Sequence, residues 1–324
     1  MSVGAAEVVP AGTGLEFLET GAEIAARSPT QLFWRRFRRD RVALVSLGFI
    51  VFLIALAFAA PLVIKILGLP GPNTQNLNLT DQFGSPLGPS GAHPFGVDQL
   101  GEDVMARVIY GTRVSLEVGI FGTAIATLIG VTVGMLAGFY RGWVDTVLSR
   151  LTDVVLSIPV LLLGLGIGAA CSVRGCVSGL IQPGIGVIIF LIAFATWPFT
   201  ARIVRGLVLS LREREFVEAS LALGASNRRV MFREVLPNLT APIIVYATLQ
   251  IPLNILIEAA LSFLGVGIRP PTASWGQMIA QATPIFNTAW WYMTFPGIAL
   301  LLTVLAFNLL GDGLRDALNP RTAR

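Results

Sequence analysis

The sequence predicts an all-α integral membrane protein with six transmembrane helices and both termini in the cytoplasm. Three observations predict it. Of the 324 residues, 54% are hydrophobic and only 13% charged, about half the charged share of a soluble domain, so lipid must cover much of the exterior. The mean hydropathy is +0.74. Apolar runs of about 20 residues recur along the chain, and at that density helices are the backbone solution a bilayer allows. The cations fall unequally on alternate connections, which sets an orientation.

Residues 1–30 are polar, rich in Gly, Ala and Glu, and lack periodicity, so a disordered cytoplasmic tail is expected. The first apolar run starts near residue 42 and is too long for the core of a signal peptide, so no cleaved leader is expected ahead of it. Residues 31–65 combine a basic cytoplasmic segment with the first span. Val42 to Ile64 holds 15 Val, Leu, Ile or Phe residues and no charge. Its insertion is favourable by about 7 kcal/mol.

Residues 66–110 change character. Pro, Gly, Asn, Ser and Asp dominate, with turn signals such as Leu69-Pro70-Gly71-Pro72-Asn73, and an extracytoplasmic loop is expected. Residues 111–324 form a five-helix core. Its spans fall at about 114–139, 151–170, 185–204, 240–265 and 292–311, with a cytoplasmic loop over 205–239. With the N-terminus inside, 18 cations lie inside and 5 outside; the outer five are Lys65, Arg107, Arg113, Arg174 and Arg269. The net charge of +4 therefore reads as membrane orientation, with no nucleic-acid partner.

Composition also excludes activities. Two cysteines and one histidine leave no Cys/His zinc cluster, and no metal or cofactor is expected. No Walker A sequence is present, and the single lysine, Lys65, sits in an apolar run, so the chain cannot be a P-loop ATPase by itself. A membrane enzyme would need a nucleophile–base pair or metal ligands that are missing. A stand-alone channel or ion-coupled carrier would show more intramembrane charge and inverted repeats.

Cys171-Ser-Val-Arg-Gly-Cys176 falls in the outer loop between the third and fourth spans, where a close pair can oxidise. A disulfide pinching that loop and two free thiols near a helix end are the two readings.

Several residues invite structural readings. Gly130, Gly134 and Gly138 recur every four residues, a spacing that lets a neighbouring helix approach. Pro159 and Pro198 are expected to kink spans three and four. Trp290, Trp291 and Tyr292 resemble an interfacial aromatic belt at the outer start of span six. Glu258 lies inside span five, where facing lipid would cost about 3 kcal/mol. It must face a partner or a wet cavity, either on the translocation path against a substrate amino group or in a helix–helix hydrogen bond. Glu117 and Asp153 sit nearer span ends and receive no role.

The 205–239 loop is the unusual element. Leu211 to Leu223 reads as a helix, with Leu211, Phe216 and Leu221 interleaved among Arg212, Glu213, Arg214, Glu215 and Glu218. Gly224 interrupts it, and a second short helix, about Ser226 to Val235, is expected to stop before Pro237. A stiff hairpin able to transmit force between spans and an amphipathic helix lying on headgroups are the two readings.

Here the residues resemble a family. Glu218-Ala219-Ser220, three residues, Gly224, nine residues, then Glu234-Val235-Leu236-Pro237 resembles the "EAA" loop of ABC importer permeases, roughly E-A-A-x3-G-x9-I-x-L-P. Ser220 replaces an alanine and Glu234 an apolar residue. His93-Pro94-Phe95-Gly96-Val97-Asp98, Gly111-Thr112-Arg113-Val114-Ser115-Leu116, Ser262-Phe263-Leu264-Gly265-Val266-Gly267 and Asn308-Leu309-Leu310-Gly311-Asp312-Gly313 are similar to C-type permeases of the dipeptide/oligopeptide/nickel branch. In that branch an arginine is common where Glu102 stands here. The likeness covers about residues 30–321.

The resemblance implies a type I ABC importer permease fold in the cytoplasmic membrane of a prokaryote, without catalysis. It implies peptides as cargo, with nickel chelates, glutathione or another small solute as alternatives. It implies a second homologous permease, two cytoplasmic ATP-binding subunits and an extracytoplasmic binding protein as partners. The loop would fit a groove on one ATPase and drive alternating access. In it Glu218 would face the ATPase, Gly224 would make a sharp turn, and Arg228 and Arg229 would meet acidic groups of the ATPase or lipid heads.

Overall fold

The computed structural model describes residues 29–81, 85–171, 175–176, 179, 181 and 183–318. The tail expected over 1–30 lies outside them except for Pro29 and Thr30, which begin a helix. Among the described residues, regular structure is helical, with three isolated β-bridges.

Helix α1 (Pro29–Phe37) packs Phe33 and Phe37 against Leu314 and Ala317 near the other end of the chain. Asp40 then caps α2 (Arg41–Ile66), its Oδ1 accepting the Ala43 N–H at 3.0 Å. At 1.5 Å per residue α2 is about 39 Å long, enough to cross the hydrocarbon core.

The polar stretch after α2 is a folded cap. Asp98 Oδ1 accepts the N–H groups of Leu100 and Glu102, both at 2.9 Å. Burial pushes the Asp98 carboxyl above the ordinary carboxylate range, while Arg107 and the Leu100 N–H pull the other way. Arg107 is buried between Glu102, which it hydrogen-bonds, and Asp98 at 3.8 Å. Asp103 Oδ2 lies 2.8 Å from His93 Nδ1, and its Oδ1 accepts the Ala106 N–H. That capping residue starts α3 (Val104–Tyr140) about ten residues ahead of the expected span.

This cap revises the aromatic belt. Trp290 is half exposed, but Trp291 and Tyr292 are buried beneath the cap. Trp291 Nε1 donates to Val97 O at 3.1 Å, and Phe95 stacks on Phe295 at 3.9 Å. Their hydrogen-bonding ends are satisfied by protein rather than headgroups.

The expected third span, 151–170, is two helices, α4 (Gly142–Ser157) and α5 (Val160–Cys171), bent by 82°. Ile158 is extended (φ −92°, ψ 120°), the conformation favoured before proline, and Pro159 has no N–H to continue the ladder. Helix α4 carries Asp145, Arg150 and Asp153. Asp145 is bound by Arg205 at 2.5 and 2.7 Å and Asp153 by Arg202 at 2.8 Å.

Helix α6 (Ile185–Arg212) is unbroken and accommodates Pro198 internally. It lies against α3 along the glycine ladder. A Cβ on Gly130 would fall 2.7 Å from Trp197 O, on Gly134 2.5 Å from Ala201 O, and on Gly138 2.9 Å from Arg205 O. Two backbones thus meet with no room for a side chain.

After α6 come α7 (Glu215–Ala222), α8 (Asn227–Arg229), a π-turn (Val230–Val235), α9 (Leu236–Phe263), α10 (Trp275–Ala282) and α11 (Trp290–Leu318). Helix α10 is short and belongs to the outer cap. Trp275, its first residue, is fully buried and donates from Nε1 to Val108 O at 3.1 Å. Among the described residues the count is five continuous spans plus the bent α4–α5 pair.

Candidate functional site

The cytoplasmic connection between α6 and α9 is a compact hairpin whose termini are fixed by local chemistry. The single helix expected over Leu211–Leu223 is divided. Helix α6 ends at Arg212, whose Nη1 donates to Phe139 O at 2.5 Å and whose guanidinium lies 5.5 Å from the Phe139 ring centre. Arg214 is extended (φ −86°, ψ 143°) and opens α7.

At the far end of α7, Ala225 N donates to Ser220 O at 3.1 Å across Gly224, which has φ +82°. This six-to-one bond with a left-handed residue is a Schellman ending, and glycine takes that conformation without strain. Ser226 then caps the next helix, its Oγ accepting the Arg229 N–H at 3.4 Å.

The second helix does not stop before Pro237. From Asn227 to Phe263 the chain is one continuous 37-residue helical rod. The Leu236 N–H donates to Met231 O, five residues back. The bonding register therefore changes just before Pro237, where its missing N–H is absorbed.

Underneath, Val217, Val230, Met231, Val235 and Leu239 are buried against Met135 and Phe139 of α3 and Val204 and Val208 of α6. The hairpin is therefore locked to the cytoplasmic ends of three spans. Its outer side is open: Glu218, Ala219, Gly224, Arg228 and Arg229 are exposed, and Ser220 is partly so. Leu223 is 89% exposed and Phe232 60%. An apolar pair amid charges, on a rigid support, suits protein docking more than solvent. Sequence reading singled out Glu218 and missed Leu223 and Phe232. Their signal was a mismatch with the buried stripe of Val217, Val230 and Val235. Leu236 is half-buried and Pro237 exposed at the root of the hairpin.

Glu258 belongs elsewhere, about 33 Å along the rod from Leu236. Gln250, Asn254, Glu258 and Ser262 recur every four residues on α9 and are all buried. Each reaches a neighbour. Gln250 Oε1 accepts from Thr200 Oγ1 at 3.1 Å, and its Nε2 donates to Thr196 O at 3.3 Å. Asn254 Nδ2 donates to Thr123 Oγ1 at 2.8 Å. Glu258 accepts from Ser115 at 3.3 Å and Ser262 at 2.8 Å. In this conformation Glu258 faces packed helices. That is the arrangement of the helix–helix alternative, and it arises because the four-residue spacing turns Glu258 into the bundle.

A groove of about 570 Å³ does open at mid-span beside this polar column. Phe199, Tyr246, Leu249, Leu253 and Leu256 are among the residues lining it, with Gln250 and Asn254 at its polar side. At the outer end of α5 the Cys171 and Cys176 Sγ atoms are bonded, with Cα atoms 4.9 Å apart. Among the described residues no group of three or more His, Cys, Asp or Glu side chains could hold a metal.

Comparison with known proteins gives concordant results. A family described as "Binding-protein-dependent transport system inner membrane component" matches residues 130–324, and "N-terminal TM domain of oligopeptide transport permease C" matches residues 28–86. The glutathione transport system permease protein GsiD of Pectobacterium atrosepticum is 40% identical over 297 residues, covering 92% of this chain and 93% of that one. The dipeptide transport system permease protein DppC of Alkalihalophilus pseudofirmus is 38% identical over 299 residues, covering 92% of each. A solved inward-facing structure of the MetNI methionine ABC transporter superposes with a TM-score of 0.55 at 21% identity, over 67% of this chain and 98% of that one.

Proposed function

The chain belongs to the family of binding-protein-dependent transport system inner membrane components, and we propose that it is the C-type permease of an importer of short peptides. It is a multi-pass protein of the cytoplasmic membrane. Two relatives carry the names of glutathione and dipeptide systems, and glutathione is itself a small peptide, so both names describe one chemical class. The working unit contains a second homologous permease, two cytoplasmic ATPases and an extracytoplasmic binding protein. ATP hydrolysis resides in the ATPases, and this chain carries no catalysis.

The observation that carries the reading is the hairpin: exposed Glu218, Leu223 and Phe232 on a support welded to the 37-residue rod. Closure of the ATPases displaces the hairpin, and the rod carries that displacement past the mid-span groove to the outer cap. In this scheme residues 31–65 are an accessory span, 66–110 close the outer face and 111–318 form the moving core.

The test is co-purification of this chain with its ATPase. Wild type should retain the ATPase and import a labelled dipeptide, whereas Leu223→Asp should lose both while remaining in the membrane. Retention of ATPase and import by Leu223→Asp would refute the docking role. Mass spectrometry of the ligand carried by the binding protein identifies the cargo.

A further inference from the structure

The cytoplasmic arm carries chemistry that transport does not use. From residue 35 to 41 the chain holds Arg35, Arg36, Arg38, Arg39 and Arg41. One side of α1 is pinned to α11 by Phe33 and Phe37. The other side exposes Leu32 and Trp34, with the Arg38 guanidinium 5.6 Å from the Trp34 ring centre. A shallow groove of about 500 Å³ is lined by Gln31, Trp34, Arg35 and Arg38.

Arg35, Arg38, Arg39 and Arg41 are exposed and form no ion pair among the described residues. The acid within the stretch, Asp40, has one oxygen on the Ala43 N–H and the other close to Gly313. Asp312 and Asp316 on the end of α11 do not outnumber the arginines, so the patch stays cationic. Immediately below, Val42 and Val45 are exposed and begin the lipid-facing surface of α2.

We propose that α1 and the first turn of α2 form a binding site for an anionic phospholipid of the cytoplasmic leaflet. Arg35 and Arg38 present planar forks that match a phosphate in two-point contact, which a point charge cannot do. Trp34 sits at the level of the lipid glycerol, where indole rings partition, and the valines meet the acyl chain. The occupant is a lipid rather than an acidic peptide because the arginines sit directly on the start of a membrane span, where anionic headgroups are concentrated. The site rests on membrane embedding and is independent of what is transported.

The test uses the full-length chain in its complex, delipidated in neutral detergent. Native mass spectrometry is run against phosphatidylglycerol and phosphatidylcholine of the same acyl chains. Wild type should bind phosphatidylglycerol at least tenfold more tightly. Arg35→Gln with Arg38→Gln should weaken it on the order of fivefold per arginine and leave phosphatidylcholine unchanged. Arg35→Lys with Arg38→Lys should fall between. Equal binding of the two lipids by wild type, or undiminished phosphatidylglycerol binding by the double Gln variant, overturns the site. Should that variant fail to assemble, a photoreactive phosphatidylglycerol on wild type decides. Labelling of the Gln31–Val45 region supports the proposal, and labelling confined to other segments refutes it.

Discussion

Ser115 on α3 and Glu258 on α9, 143 positions apart in sequence, share a hydrogen bond of 3.3 Å in the interior of the bundle. Glu258 also takes the Ser262 hydroxyl, and Ser262 Oγ in turn accepts the Ile268 N–H at 3.0 Å. The carboxyl thus ties α3 to α9 and to the loop that follows. Glu258→Ala should lower the apparent melting temperature of the purified complex by the equivalent of about 1–3 kcal/mol, because it strands buried hydroxyls. Glu258→Gln keeps an acceptor and should stay near wild type in both stability and import. Normal stability with abolished import in Glu258→Gln would instead identify a substrate contact.

At Gly224 a substituent would have open space, so steric clash is not the issue. The cost lies in φ +82°, about 1 kcal/mol for alanine and more for a β-branched residue. Gly224→Val should deform the Schellman turn and lower peptide imported per ATP hydrolysed, while Gly224→Asn, which tolerates the left-handed region, should be milder. Full transport by the valine variant would remove the turn from the mechanism.

The α3–α6 contact predicts a contrast between glycines. A Cβ at Gly134 would meet backbone at 2.5 Å, whereas one at Gly206 on α6 meets nothing within 4 Å. Gly134→Ala should therefore destabilise by about 1–3 kcal/mol, and Gly206→Ala should be neutral or slightly stabilising. Thermal unfolding of the two variants in detergent measures the difference.

The bonded Cys171 and Cys176 close a short loop, worth about 2 kcal/mol on chain-entropy grounds. Intact protein should take up no thiol alkylating agent until it is reduced, and two equivalents afterwards. Uptake before reduction would indicate free thiols.

Arg107 is buried against Glu102 and Asp98 on the outer face. Arg107→Ala leaves two buried carboxyls without their cation and should cost about 3–5 kcal/mol. Loss of the folded cap would appear as new protease cleavage between residues 67 and 103. An intact cap in that variant would mean that Trp291 and Phe95 hold it without the ionic core.

What could be read from the residues follows from the range of the forces involved. Transmembrane spans depend on local hydropathy, so Val42–Ile64 anticipates α2 to within two residues at each end. The glycine ladder was legible for the same reason, since four-residue spacing is a local property. Pro159 announced a distortion, but an 82° break depends on what α4 rests upon, namely Arg202 and Arg205 of α6. Pro237 looked like a terminus because a π-turn has no strong sequence signature. Trp291 and Tyr292 looked interfacial because the cap that buries them is nearly two hundred residues earlier in the chain. At the hairpin, the motif residues were readable, while the exposure of Leu223 and Phe232 depended on which stripe the core claimed.

The unbroken helix from Asn227 to Phe263 spans about 54 Å, and in the proposed scheme its cytoplasmic end is the part presented to the ATPase. Such a lever needs little input: a tilt of about 5° about one end sweeps the other through about 5 Å, close to the width of an extended peptide. In that scheme gating on the far side of the bilayer requires no hinge within this helix, only a small rotation of a stiff body.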